Sequence, residues 1–301
     1  MPLLSKSLIG LNPRPRFSTV DKDTYTDYSV GAMVQTVPTQ FAALSAEAVE
    51  HRFGTERHGT HALGGIDLTL RKGEFFSVIG PSGCGKSTLL EIVAGLLVPT
   101  RGRVVFEGRE VRGNVPSGVG IVFQEDASFP WLSVWDNVAF GLRRAGHDPM
   151  EVKRRVDYAL EFMGLREFAR HHPAHLSGGM RQRVCIARTL VLQPRLILLD
   201  EPFAALDQQT RLVMGEELLR LWRETGATVM LITHSLDEAA MLSDRIGVMS
   251  ARPGRFVDML LTLWPRERDS RIVSEPRFGE LTSRMWTLLR DESMRSIARR
   301  V

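Results

Sequence analysis

The sequence predicts an α/β domain built on a mainly parallel sheet. Three runs of strand length, FFSVIG (75–80), LILLD (196–200) and TVMLIT (228–233), are largely apolar on both alternations. Strands covered on both faces have that pattern. Longer segments with helical spacing lie between such runs, and strands that alternate with helices pair in parallel through crossovers. A chain of 301 residues is enough for one large domain or two modest ones.

The elements follow in order. Residues 1–44 are rich in Ser, Thr, Pro and Asp, as in RPRFSTVDKDTYTDYS, and have no sustained apolar period. Such a segment buries too little to offset its chain entropy, so disorder is expected. Met33 lies inside it, and a start there would cost the fold nothing visible. Order is expected from about Ser45. LSAEAVEHRF (44–53) and IDLTL (66–70) read as strands, FFSVIG as a buried one, and Lys86 to Ala94 as a helix. RVVFEG and GVGIVF are further strands. The run MEVKRRVDYALEFMGL (150–165) has helical spacing, with Gly164 suited to its end. Helices are expected from about Gly178 to Leu192 and Gln208 to Glu224, a short one follows TVMLIT, and RIGVMS (245–250) is the last strand. After Trp264 the character changes: Phe278, Leu281, Met285, Leu288 and Leu289 fall on one helical face. A tail over 265–301 packing back on the domain is expected, in preference to a helix lying on a membrane.

Composition excludes several classes. The 43% hydrophobic and 25% charged residues are those of an ordinary soluble domain. No stretch approaches the roughly 18 apolar residues of a membrane span. The patch Leu8 to Leu11 behind Lys6 is too short for a secretory leader, so a cytosolic chain is expected. The cysteines, Cys84 and Cys185, offer neither a CxxC pair nor a metal cluster. Cys84 reads as a filler of a small-residue slot rather than a reactive thiol. A net charge of +4 is weak evidence for a nucleic-acid partner, which needs a concentrated stripe. Much of the surplus lies in the arginines from 266 onward, read as a solvated helical face.

Three motifs carry chemistry. Gly80-Pro81-Ser82-Gly83-Cys84-Gly85-Lys86-Ser87-Thr88 matches GxxxxGK[ST] between a strand and a helix. Its glycines let backbone N–H groups approach phosphate, and the helix N-terminus adds partial positive charge. Lys86 can reach the outer phosphates and the Ser87 hydroxyl can sit on Mg²⁺. This is a P-loop, and the core is expected to be of the P-loop nucleoside-triphosphatase kind. Second, LILLD delivers Asp200 to the sheet's C-terminal edge, where it suits Mg²⁺ held through water. Glu201 follows, in reach of a water attacking the terminal phosphate, which it can polarise or deprotonate. An Asp-Glu pair after a strand can also be a helix N-cap; the upstream phosphate loop argues for catalysis. Third, Ser177 offers a hydroxyl, and Gly178 and Gly179 offer bare N–H groups at a helix N-terminus, a second anion site.

The third motif, Leu176-Ser177-Gly178-Gly179-Met180 followed by RQR, resembles the LSGGQ signature of the ATP-binding subunits of ABC transporters. Met180 stands where the family has Gln; the serine and glycines that would touch phosphate remain. The resemblance spans about 45–250 and implies further roles. The signature would grip the γ-phosphate bound to a second copy. Gln124 would be the Q-loop residue touching Mg²⁺ and the attacking water. Asp207, in Ala205-Leu206-Asp207, would cross between subunits, and His234 would bond the γ-phosphate. Phe53 would stack on adenine, or else belong to the core.

The resemblance implies an N-terminal antiparallel β part, a helical subdomain at about 125–192 inserted in an ATPase domain over 45–264, and a homodimer that hydrolyses ATP with Mg²⁺. It implies permease partners and, indirectly, a periplasmic or lipid-anchored solute-binding protein. The chain would sit at the cytoplasmic face of a bacterial inner membrane, with no nucleic acid bound. SFPWLSVWDNVAFGL (128–142), VMSARPGR (248–255) and the C-terminal segment are similar to the nitrate/sulfonate/taurine/bicarbonate importer branch. Trp131, Leu132, Val134 and Trp135 then suit either a groove for a permease helix or the helical core. The alternatives are a soluble ABC ATPase acting on nucleic acid and the ATPase of another importer or exporter class. A P-loop kinase is disfavoured by the signature.

Overall fold

The computed structural model describes residues 42–298 apart from 56, 57 and 126. The expected disorder over residues 1–41, and the alternative start at Met33, lie outside the described residues. The boundary itself moves: a strand begins at Ala42, and Ala43 and Leu44 are buried.

The strands in chain order are β1 (Ala42–Phe53), β2 (Thr60–Arg71), β3 (Phe75–Ile79), β4 (Arg101–Phe106), β5 (Arg109–Glu110), β6 (Val119–Val122), β7 (Leu196–Asp200), β8 (Thr228–Ile232), β9 (Arg245–Met249) and β10 (Phe256–Leu261). The helices are α1 (Lys86–Ala94), α2 (Val134–Arg144), α3 (Pro149–Phe162), α4 (Gly178–Leu190), α5 (Gln208–Thr225), α6 (Leu236–Leu242) and α7 (Pro276–Ala298). One sheet is antiparallel, in the order β2-β1-β4-β5; the other runs β10-β9-β3-β8-β7-β6 and is parallel except at β10.

β3, β7 and β8 are buried at every residue, as their unbroken apolar runs require. The period of two then sorts each strand between two cores. Ile197 and Leu199 of β7 join the core shared with α2, α3, α4 and α5, while Leu196 and Leu198 join the core under α1 and the antiparallel sheet. Register decides where the loops emerge. Val122 pairs with Leu199, Asp200 with Ile232, and Val78 with Ile232. The residues that follow β3, β6, β7 and β8 therefore leave the sheet at one edge, the C-terminal edge of the parallel strands.

The helix ends are built from local chemistry. Asp148 accepts hydrogen bonds from the N–H groups of Met150 and Glu151 ahead of α3, with Pro149 at its first position. Gly164, just beyond α3, has φ 62°, a conformation open to glycine at little cost.

The structure adds elements and divides one cluster. The sequence reading assigned no element to α2, β5 or β10. The four residues near Trp131 do not act together. Val134 is fully buried and Trp135 packs on the core, its indole donating to Asp157 at 3.0 Å. Trp131 is 71% exposed and stacks on Phe129, with ring centres 5.6 Å apart.

The tail also departs in one respect from a solvated face. Phe278 and Met285 enter the main core, but Arg268 is buried as well. Its guanidinium lies 4.8 Å from the Trp222 ring centre, pairs with Asp244 at 2.8 Å and donates to the Leu242 carbonyl. Those partners replace the water a buried cation gives up. No helix among the described residues is long and apolar enough to cross a membrane.

Candidate functional site

The phosphate loop turns between β3 and α1. Gly83 and Gly85 have φ 73° and 112°, in the left-handed region that glycine enters freely. A Cβ on Gly85 would lie 2.8 Å from Leu63 and 2.9 Å from the Ala62 carbonyl, so the loop lies against β2 without room for a side chain. Gly80 is equally tight: a Cβ there would meet the Cys84 sulfur at 2.9 Å. Cys84 is buried and burial pushes its thiol pKa up, which supports the slot-filling role over the reactive one. Lys86 is buried, and its Nζ donates to the carbonyls of Gly80 at 2.8 Å and Pro81 at 3.1 Å. The cation is thus folded over the loop, where incoming phosphate would meet it.

Asp200 ends β7 beside that loop. Ser87 hydrogen-bonds its carboxylate, yet Oδ1 is buried without a hydrogen-bond partner among the described residues. Burial raises the Asp200 pKa, the Ser87 bond opposes the shift, and neighbouring Glu201 adds to it. A buried acceptor lacking a partner beside a hydroxyl fits a bound cation. No group of three acidic, histidine or cysteine side chains that could hold a metal occurs among the described residues. Mg²⁺ binds through few protein oxygens and takes the rest from phosphate and water, so a lone carboxylate and a hydroxyl fit it.

Glu201 is the meeting point of the edge. Its backbone is at φ 46°, uncommon for a residue with a side chain, and its N–H donates to the Ile232 carbonyl at 2.9 Å. Gln124 Nε2 donates to Glu201 Oε2 at 3.3 Å, and His234 Nδ1 lies 3.0 Å from the same oxygen. Two residues far apart in sequence, Gln124 and His234, therefore converge on one oxygen of Glu201, because β6, β7 and β8 end side by side.

The signature occupies another neighbourhood. Ser177 caps α4, its hydroxyl oxygen accepting the Met180 N–H at 3.3 Å, so its proton can still be donated. A Cβ on Gly179 would lie 2.6 Å from Leu206, which sets the signature against the loop carrying Asp207. Gly178 is exposed. Met180 packs on the main core, which explains an apolar residue at this position. Asp207 caps α5, and hydrogen bonds from Thr210 hold its carboxyl below the usual range. Phe53 ends β1, 44% exposed, in a T-shaped pair with His51 with ring centres 4.5 Å apart; this is a surface aromatic.

Some tethers carried no sequence signal of their own. Gln182 donates to the Phe123 carbonyl at 3.3 Å and Arg188 to the Ala127 carbonyl at 2.7 Å, tying α4 to the segment around Gln124. Both lie in the quoted run after the signature, but their partners are some 60 residues away in sequence (separations of 59 and 61). An open groove lined by Phe123, Gln124, Glu125, Ala127 and Asp200 runs along this edge.

The family model described as ABC transporter matches residues 63–204. An uncharacterised ABC transporter ATP-binding protein of Methanocaldococcus jannaschii is 43% identical over 257 residues, covering 84% of this chain and 94% of that protein. The taurine import ATP-binding protein of Pelagibacter ubique is 50% identical over 197 residues, 65% of this chain and 73% of that protein. That of Pseudomonas aeruginosa is 46% identical over 244 residues, 79% of this chain and 92% of that protein. Among solved structures, a dimeric ATP-binding cassette bound to ADP and phosphate aligns with TM-score 0.67 and 31% identity, covering 74% of this chain and all of that one (100%). A protein from Clostridium perfringens that is part of an ABC transporter complex aligns with TM-score 0.66 and 30% identity over 81% of this chain and 99% of that one.

Asp200 yields a stability prediction. Its folded pKa is raised above the unfolded value, so the unfolded state loses its proton first as pH rises. Stability falls through that window, and the cost of the buried charge is fully present above the folded pKa. Asp200→Asn should therefore raise the nucleotide-free melting temperature by a few degrees at pH 7 while abolishing Mg²⁺-dependent nucleotide binding. A lowered melting temperature in the differential scan would contradict the buried-charge account.

Proposed function

The chain belongs to the family of ABC transporter ATP-binding proteins, and from that premise we propose that it is the ATP-hydrolysing subunit of an importer, acting as two copies beneath a separate permease. The observation that carries this reading is the convergence of Gln124 and His234 on Glu201, next to Asp200, Ser87 and Lys86. A binding module without turnover has no use for a carboxylate so placed.

The roles follow from position. The N–H groups of the phosphate loop and Lys86 bind and orient the phosphates. Ser87 and Asp200 would hold Mg²⁺, with Gln124 beside it; the ion, when bound, neutralises charge on the phosphates. Glu201 orients the attacking water and accepts its proton, and His234 holds the carboxylate and the γ-phosphate in register. Phe53 offers a face to adenine. Ser177, Gly178, Gly179 and Asp207 complete the site of the other copy, so one chain carries half of each of two sites. Dimeric cassettes among the structural relatives support that arrangement.

Relatives named for taurine import support the importer branch and a small anionic solute of the sulfonate or nitrate kind. Selection of that solute falls to the permease and to a periplasmic or lipid-anchored binding protein. The chain works at the cytoplasmic face of the inner membrane. Trp131, exposed with Phe129 beneath it and Arg188 4.7 Å from that ring, supplies the apolar contact for a permease helix.

Two variants test the reading. Glu201→Gln keeps the shape and removes the charge. It should bind MgATP, lose about 10²–10⁴ in turnover, and run by light scattering as a dimer with MgATP and a monomer without it. Turnover at the wild-type rate would return Glu201 to a structural role. Trp131→Glu should melt with the wild type and fail to co-purify with the permease; a retained complex would remove Trp131 from the contact.

A further inference from the structure

The segment Ser250 to Arg255 follows β9 and is used by none of the roles above. It is pressed onto the phosphate loop. A Cβ on Gly254 would lie 2.3 Å from the Cys84 carbonyl oxygen. Gly254 also donates to the Ala62 carbonyl at 2.8 Å, and its own carbonyl accepts from Gly64 at 3.0 Å, fixing the segment to β2. Arg252 stands at its tip. Its guanidinium donates twice to a single acceptor, the Gly83 carbonyl, from Nε at 3.0 Å and Nη2 at 2.8 Å.

That carbonyl matters for phosphate binding. An anion-binding loop works when its N–H groups face the ligand and its carbonyls face away. Gly83, at φ 73°, has the freedom to let the 83–84 peptide turn over, which would present an oxygen to the phosphates. The N–H of that peptide is held by the Pro81 carbonyl at 3.3 Å, a long bond; its oxygen is held by Arg252. The carbonyls of Gly80 and Pro81 are held by Lys86, whose charge the phosphates will draw away. Arg252 is a second cation on this carbonyl face.

Arg252 is itself set from the far end of the chain. The preceding N–H, of Ala251, donates to Glu292 Oε2 at 2.9 Å. Glu292 lies on α7, is 5% exposed, and its other oxygen pairs with Arg295 at 2.6 Å. Hydrogen bonds at its two ends, joined by the covalent Ala251–Arg252 link and the Arg252 side chain, thus connect α7 to the phosphate loop.

We infer that Arg252 is a positioning residue for the phosphate loop and that Glu292 of the C-terminal helix sets it, so that nucleotide affinity depends on α7. The inference rests on the phosphate-loop reading above. It concerns binding common to ground and transition states, so its signature is a raised KM for ATP with kcat preserved at saturation.

The test is calorimetric titration of the full chain with Mg²⁺ and a non-hydrolysable ATP analogue, paired with steady-state ATPase kinetics and melting curves. Arg252 is exposed, so Arg252→Ala should fold and melt close to the wild type. It should bind the analogue about tenfold more weakly, the scale of a lost charged hydrogen bond, and raise KM in proportion. Arg252→Lys, with one donor in place of two, should fall between. Glu292→Ala should weaken binding as Arg252→Ala does, and the double variant should be no worse than either, since the two lie on one path. Glu292→Gln, which keeps an acceptor for Ala251, should bind within about twofold of wild type. Unchanged affinity in Arg252→Ala, or additive losses in the double variant, would overturn the inference. Lys86→Ala separates the two levels. Loss of binding there with Arg252→Ala unaffected sinks the inference alone; wild-type affinity in Lys86→Ala sinks the phosphate-loop reading beneath it.

Discussion

Negative charge has to be kept at the end of an apolar strand, and most of the site follows from how that is done. β7 buries all five of its residues, and the last of them is Asp200. Its Oδ1 lacks a hydrogen-bond partner among the described residues, and Glu201 follows immediately, in left-handed backbone. Two adjacent carboxylates at a sheet edge are costly unless cations and donors are brought to them. Ser87 bonds to Asp200, Lys86 lies close enough to oppose its raised pKa, and Gln124 and His234 meet Glu201. These partners come from the start of α1 and from the loops after β6 and β8, all at the same edge, so parallel register is the condition for all of these contacts at once. The residual strain and desolvation are stored where phosphate and its cation would relieve them.

What was legible in the sequence is what local pattern controls. Unbroken apolar runs located the buried strands to within a residue or two, because a strand covered on both faces leaves no other composition. The phosphate loop was legible because glycine is needed at fixed positions for backbone reasons alone. Glu201 was legible from the strand that ends in Asp200, but Gln124 and His234 only through the family resemblance; nothing in their spacing brings the three together.

Other features escaped because they depend on partners far away. Val134 and Trp131 are alike in sequence pattern, yet one is core and the other surface, and only the packing of α2 on α3 and α4 separates them. Arg268 reads as one arginine among many until Trp222 and Asp244 enclose it. The grip of Arg252 on Gly83 spans 169 positions. Met180 reads as a lapse from the signature; in the structure it is a side chain packed on the core, beside a serine whose hydroxyl proton is still available.

The account rests on each chain supplying half of two sites. The phosphate loop has Ala62, Leu63, Met249 and Arg252 for neighbours, whereas the signature packs on Leu206. Mixing two inactive chains measures this directly. Lys86→Ala destroys one half and Ser177→Arg the other, and each homodimer should be inactive. A heterodimer of the two retains one complete site, formed by Lys86 of one chain and Ser177 of its partner. The account predicts that ATPase activity reappears when the variants are mixed and rises with the heterodimer fraction. A mixture as inactive as its parents would contradict it.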